Sequence, residues 1–169
     1  MDPVDRCTLT SYLNDHLAGS VAALAMVHRM REAHDATPLG RLMASFEDTL
    51  VHEQDTVRAL LARVDGNESA VRQAVAWVGE RVARLKVGPG HGDESGLELF
   101  EALELLSVGF WGRRLLWRAL AHTSRETDPT AAAGYDELAT RAETQIELLE
   151  VERLAASVAA LTMTGTPVA

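Results

Sequence analysis

The sequence predicts an all-α protein, a four-helix bundle in which a long crossover joins the second and third long helices. Its prolines fall at gaps in the hydrophobic pattern, at Pro3, Pro38, Pro89, Pro129 and Pro167. The stretches between these gaps are rich in Ala, Leu, Glu and Arg, which favour helices. The alternation of β-branched and aromatic residues that is typical of strands is missing.

Length and composition narrow the function classes. The 169 residues, 47% hydrophobic and 24% charged, indicate one folded domain spanning 1–169. A net charge of -9 argues against nucleic acid as the main partner, because phosphate binding needs a basic face. The single cysteine, Cys7, excludes an internal disulfide. No apolar run is long enough for a membrane span and the first residues resemble no signal peptide, so we expect a cytoplasmic protein without a membrane partner.

The first two helices are expected at about 8–34 and 38–64. Thr37 is a suitable cap for the second helix, and Pro38 then takes the first helical position, where its missing N–H costs nothing. Asp65 and Gly66 end this helix. The short link at 34–37 predicts that the two helices form an antiparallel hairpin.

The second half of the chain is expected to add a short crossover helix at about 68–85 and long helices at about 94–122 and 131–161. The connection at 65–93 is long enough to travel the length of the bundle, which predicts that the second and third long helices run parallel. The third helix is apolar nearly all round, so we expect it to be buried on several sides.

This architecture, over about 9–161, resembles the ferritin-like superfamily. The segments YLNDHLAGS (12–20) and FEDTLVHEQDTV (46–57) are similar to those of small bacterial ferritin-like proteins of unassigned function. The resemblance implies a di-iron site built from a Glu on each of two helices and a Glu-x-x-His on each of the other two. This sequence contains no Glu-x-x-His, and its last helix contains no histidine. We therefore expect an incomplete di-iron site and neither iron storage nor oxygen activation of the usual kind.

A reduced metal site remains conceivable. Glu53 lies on the apolar stripe of the second helix, and the hairpin register brings His16 within about one helical turn of it. On the third helix Glu104 matches the expected inward stripe of Leu97, Val108 and Trp111, and on the last helix Glu147 is a candidate. These residues could hold iron or manganese. The alternative, which the residues favour, is a buried polar network in which His16 and Glu53 hydrogen-bond each other, without a metal or other cofactor.

Two further features have competing interpretations. In WGRRLLWRAL (111–120), either the tryptophans are core and the arginines pair with the acidic last helix, or the segment forms an anionic-ligand or membrane-surface patch. The former is favoured. The helix glycines Gly19, Gly109 and Gly112 favour close helix packing, and the alternative is room for a ligand beside Trp111.

Three functions follow as hypotheses. The first is a ferritin-like protein, poor in metal or free of it, that acts as a binding or stress-associated scaffold and forms a homodimer. The second is a metal-binding oxidoreductase or metal carrier using the reduced site. The third is a small-ligand pocket lined by Trp111 and Phe46. No catalytic motif decides whether the protein is an enzyme.

Overall fold

The computed structural model describes residues 3–64 and 96–162, and this part of the chain is all-helical, with no strand. Its helices are α1 (Pro3–Ala33), α2 (Pro38–Arg63), α3 (Gly96–Ser124) and α4 (Pro129–Leu161). The predicted all-α, four-helix bundle is confirmed in these residues. The crossover helix expected at 68–85 lies outside them.

The link between α1 and α2 is a tight turn that makes them an antiparallel hairpin. Thr37 caps α2, because its Oγ1 accepts a hydrogen bond from the Gly40 backbone N–H at 3.1 Å and donates one to the His34 carbonyl at 2.7 Å. Ala36 adopts a positive φ of 62°, and its N–H donates to Asp35 Oδ1. A Cβ at Gly40 would lie 2.1 Å from the His34 carbonyl oxygen, so the turn requires glycine there.

The link between α3 and α4 forms a second antiparallel hairpin. Asp128 caps α4 by accepting a hydrogen bond from the Ala131 N–H at 3.0 Å, and Pro129 occupies the first turn. This cap explains why α4 begins two residues before the expected start at 131. Near the turn, Arg125 lies 3.0 Å from Asp136.

The two hairpins are arranged so that α2 and α3 run parallel. Phe46 on α2 packs edge-to-face against Phe110 on α3, with ring centroids 5.1 Å apart. Farther along both helices, Glu53 on α2 accepts a hydrogen bond from Trp117 on α3. Because these contacts advance in the same direction along both helices, the predicted parallel orientation is confirmed. The end of α2 and the start of α3 therefore lie at opposite ends of the bundle.

The interior consists of two apolar clusters with a polar level between them. The large core contains Ala23, Met26, Val27, Met30, Leu39, Met43, Phe46, Leu50, Phe100, Ala102, Leu103, Leu106, Phe110, Leu149 and Ala156. The small core contains Leu13, Leu17, Val57, Leu61, Leu116, Trp117, Leu120 and Ala139. Polar residues lie between the two clusters along each helix, among them Ser20, Glu53, Arg113 and Gln145, and we call these four residues the polar layer.

α3 contacts the other three helices, but the expectation that Leu97, Glu104, Val108 and Trp111 face inward is wrong. Leu97, Val108 and Trp111 are 43%, 69% and 47% exposed. The buried face instead carries Phe100, Leu103, Leu106, Phe110, Arg113 and Trp117. A helix that is apolar nearly all round offers no contrast from which its inward direction can be read.

None of the helices in the described ranges combines the length and the apolar character that a membrane-spanning segment needs.

Candidate functional site

A cavity of about 150 Å³ lies between α1, α2 and α3 at the level of the polar layer. Its lining comprises Asp15, His16, Gly19, Ser20 and Ala23 from α1, Leu50, Glu53 and Val57 from α2, and Gly109, Phe110, Gly112, Arg113, Leu116 and Trp117 from α3. Asp15, Gly19 and Gly109 are exposed members of this set and mark the mouth, whereas Glu53 and Trp117 are buried. The cavity therefore combines apolar walls with a few buried polar groups, as ligand pockets do.

Glu53 is the most deeply buried charged side chain of the cavity, at 1% exposure. It lies on the stripe that also carries Leu50 and Val57, which is why α2 turns it inward. Its Oε2 accepts a hydrogen bond from Trp117 Nε1 at 2.7 Å and lies 3.3 Å from Arg113 Nε. Its Oε1 has no hydrogen-bond partner among the described residues. Half of this carboxylate is therefore left unpaired.

Arg113 is buried opposite Glu53, at 6% exposure. Its Nη2 donates a hydrogen bond to Gln145 Oε1 on α4. The guanidinium carbon lies 4.4 Å from the centre of the Phe110 ring, a cation–π distance. Within the described part of the chain, neither Arg113 Nη1 nor Arg113 Nε has a hydrogen-bond partner, although Nε lies at ion-pair distance from Glu53. The guanidinium is positioned by Gln145, Phe110 and the charge of Glu53, and two of its nitrogens still lack a hydrogen bond.

Burial governs the protonation of these groups. It raises the pKa of Glu53, an effect that the Arg113 charge and the Trp117 hydrogen bond offset only in part. Burial likewise lowers the pKa of Arg113, against the effect of Glu53. The pKa of His16 is also lowered by burial, although Asp15 acts in the opposite direction. His16 therefore favours the neutral form, and the Glu53–Arg113 pair supplies the buried charges of the cavity.

The helix glycines create the open space. Apart from the glycine's own helix backbone and chain neighbours, a Cβ at Gly19 or Gly112 would meet no atom of the described residues within 4 Å. At Gly109 the nearest atom would be the Ala23 Cβ at 3.9 Å. Close helix packing, the favoured sequence interpretation, is therefore wrong at Gly19 and Gly112. The alternative, room for a ligand beside Trp111, is also wrong in its location, because the open space lies next to Arg113 and Trp111 is outside the cavity lining.

The four candidate metal ligands are only partly brought together. His16 and Glu53 line the same cavity, as the hairpin register predicted. Glu104 is exposed and pairs with Arg153 at 3.3 Å, so the expectation that it faces inward is wrong, and the candidate Glu147 is exposed as well. Among residues 3–64 and 96–162, no group of three or more His, Cys, Asp or Glu side chains is placed to hold a metal ion.

The expected hydrogen bond between His16 and Glu53 is also corrected. The partners of Glu53 are Trp117 and Arg113 on α3, while the His16 ring lies edge-on to Tyr12 at 4.6 Å. A buried polar network around Glu53 exists as predicted, with different members.

Arg113 and Trp117 are the site residues that sequence reasoning missed. The favoured interpretation paired the arginines with the last helix, and Arg114 does pair with Glu143 at 2.8 Å. It also placed both tryptophans in the core, which is right for Trp117 and wrong for Trp111. The signal was present, because Arg113 follows Phe110 by three positions and precedes Trp117 by four, the spacing of one helix face.

No protein-family model, curated protein or solved structure matches this chain.

Proposed function

We propose that the protein is a ferritin-like helical bundle that works without a di-iron centre and binds a small organic molecule in the cavity between α1, α2 and α3. The parallel course of α2 and α3 supports the ferritin-like arrangement, because one long connection is typical of it. The cytoplasmic location expected from the sequence belongs to the same proposal.

The observation that carries this function is the unfilled space beside a buried, incompletely paired ion pair. Buried polar atoms are nearly always hydrogen-bonded, and leaving one unpaired costs about 1–3 kcal/mol. Glu53 leaves Oε1 unpaired, and Arg113 leaves Nε and Nη1 without a hydrogen bond among the described residues, beside a cavity of about 150 Å³. An apolar cavity of about that volume holds a molecule of the size of benzene. A bound molecule would fill the space and could pair Glu53 Oε1 and Arg113 Nη1.

Binding of a small aromatic probe, toluene or benzamide, tests this function by ligand-observed NMR. We expect saturable binding to the native chain. Gly112→Leu places a side chain in the open space and should weaken binding by about tenfold or more, equivalent to about 1.4 kcal/mol. Gly134→Leu is the matched control, because Gly134 is an exposed helix glycine outside the cavity lining. Absence of saturable binding, or equal binding by both variants, would refute the proposed pocket.

A metal-binding oxidoreductase or metal carrier is the second candidate. It is favoured by the presence of Asp15, His16 and Glu53 in one cavity lining. Against it, the Arg113 guanidinium already supplies a positive charge 3.3 Å from the Glu53 carboxylate, so a cation there would meet like charge. Metal analysis of protein purified without chelator, repeated for Glu53→Ala, decides between the two. Stoichiometric iron or manganese that disappears in the variant would establish the metal site.

A homodimer is the partner that we propose. Supporting it are the exposed apolar side chains of α3 and α4, which comprise Leu97, Leu105, Val108, Trp111, Leu115, Leu148, Val151, Leu154, Val158 and Leu161. Large exposed apolar faces are typical of interaction sites. Sedimentation should give a dimer that Val108→Glu dissociates, whereas Val51→Glu on α2 leaves it intact. A monomeric native chain would contradict this expectation.

A further inference from the structure

We infer that the cavity takes a small molecule with an aromatic-sized apolar body and an uncharged head group that both donates and accepts a hydrogen bond, as a primary carboxamide does. This inference rests on the proposed small-molecule binding and specifies the chemical class of the ligand. It is derived from the unpaired atoms, the charges and the walls of the cavity.

The unpaired atoms define the head group. Glu53 Oε1 is a carboxylate oxygen and accepts hydrogen bonds, while Arg113 Nη1 can only donate. Both side chains line the cavity, both are more than nine-tenths buried, and neither of these atoms has a partner among the described residues. A carboxamide offers an N–H to the first atom and a C=O to the second. A carbonyl alone would leave Glu53 Oε1 without a donor, whereas a hydroxyl would have to serve both atoms from a single oxygen.

The charges of the lining favour an uncharged ligand. Glu53 and Arg113 neutralise each other at 3.3 Å, and Asp15 adds a negative charge at the exposed mouth. A ligand carboxylate would meet Arg113, but also two carboxylates of the same sign as itself. An ammonium group would bring three donors and no acceptor, which leaves Arg113 Nη1 unpaired. Burying either ion here carries a desolvation cost that a neutral amide avoids.

The walls define the body of the ligand. Ala23, Leu50, Val57 and Leu116 are aliphatic, and the rings of Phe110 and Trp117 complete the lining. Apolar side chains gain from excluding water, and aromatic rings favour edge or offset contacts with another ring. A volume of about 150 Å³ accommodates one six-membered ring.

The test compares three probes of nearly equal shape, benzamide, benzoate and toluene, by calorimetric or NMR titration of the native chain. We expect benzamide to bind about tenfold or more tightly than either of the others, which corresponds to about 1.4 kcal/mol. Gly112→Leu should remove this binding and Gly134→Leu should preserve it. Glu53→Gln should reduce the preference for benzamide over toluene, because an amide at position 53 can present its own N–H to the ligand's N–H.

The outcomes separate this inference from the function on which it rests. If toluene binds as well as benzamide, and Gly112→Leu blocks both, the cavity is a ligand site but the carboxamide class is overturned. Tighter binding of benzoate overturns the class in favour of an anion. If no probe binds, or if Gly112→Leu binds benzamide as the native chain does, both the class and the proposed pocket are overturned.

Discussion

The large core and the polar layer show two ways in which the same four helices meet. In the large core, Met30, Met43, Phe46 and Phe110 are completely buried and the two phenylalanine rings are in edge-to-face contact. Directly beside it, the polar layer holds a charged pair and a cavity. The bundle is thus able to pack densely. The opening lies at the level of the polar layer, where helix glycines leave space beside the incompletely paired Glu53.

Among the substitutions considered, removing one charge of the polar layer should cause the largest loss of stability. Arg113→Met leaves Glu53 buried without a counter-charge, and we expect it to lower the free energy of unfolding by about 3–5 kcal/mol. Denaturant unfolding followed by far-UV circular dichroism measures this loss. A loss below about 1 kcal/mol would show that water reaches Glu53 freely in solution.

The double variant Glu53→Leu with Arg113→Met is the control for this prediction. Replacing a buried ion pair by apolar residues of similar volume is often neutral or stabilising. We therefore expect the double variant to regain most of the stability that Arg113→Met loses. If it does not, the loss reflects packing of the long Arg113 side chain against Phe110 and not an unpaired charge.

Truncating a leucine should cost more stability in the large core than beside the cavity. Leu103 is completely buried in the large core, whereas Leu116 lines the existing cavity. Truncating a buried leucine to alanine costs about 2–5 kcal/mol, depending on the cavity left behind. We expect Leu103→Ala near the upper end of this range and Leu116→Ala near the lower end, because Leu116 already lacks contacts on one side. Equal losses in chemical denaturation would mean that the cavity collapses in solution.

Glycine-to-alanine substitutions should change stability by smaller amounts, upward at the cavity and downward at the turn between α1 and α2. Gly19→Ala and Gly112→Ala are expected to raise stability by about 0.5–1 kcal/mol, as alanine does in an unobstructed helix, with the exposed Gly134→Ala as reference. Gly40→Ala should instead destabilise, because its Cβ would meet the His34 carbonyl oxygen at 2.1 Å. Thermal melts give all four values, and destabilisation by Gly112→Ala would indicate that the space beside it is closed.

The pH dependence of stability should also distinguish the polar layer, through Glu53. Burial raises the pKa of Glu53 in the folded protein above the ordinary value of 4.5. At a pH between the pKa of the unfolded chain and that of the folded protein, the folded protein keeps a proton that the unfolded chain has released. Stability then falls as pH rises through that window, by about 1.4 kcal/mol per unit of pKa shift. Glu53→Gln lacks this effect. The stability of the native chain minus that of the variant should decrease as pH rises above about 4.5, and an increase would show that the folded state lowers this pKa.

The hairpins and the direction of α2 and α3 could be predicted from the sequence, because caps and connection lengths are local signals. Thr37 with Pro38 predicted the start of α2, and the short link predicted that His16 and Glu53 approach one another. The inward face of α3 could not be predicted from hydrophobicity, because apolar Val108 and Trp111 point outward while charged Arg113 points inward. Burial of Arg113 is favourable only because Glu53 on α2 pairs with it, and Glu53 is distant from Arg113 in sequence.

The level shared by Ser20, Glu53, Arg113 and Gln145 has a consequence for how the hairpins align lengthwise. Aliphatic and aromatic side chains tolerate a shift of one helix past its neighbour by a whole turn, since such contacts lack direction. A shift by one turn would carry Glu53 away from both Trp117 Nε1 and Arg113. Its charge would then be buried among apolar side chains without a partner. These polar contacts therefore select a single longitudinal alignment of the two hairpins among those that apolar contacts alone would permit.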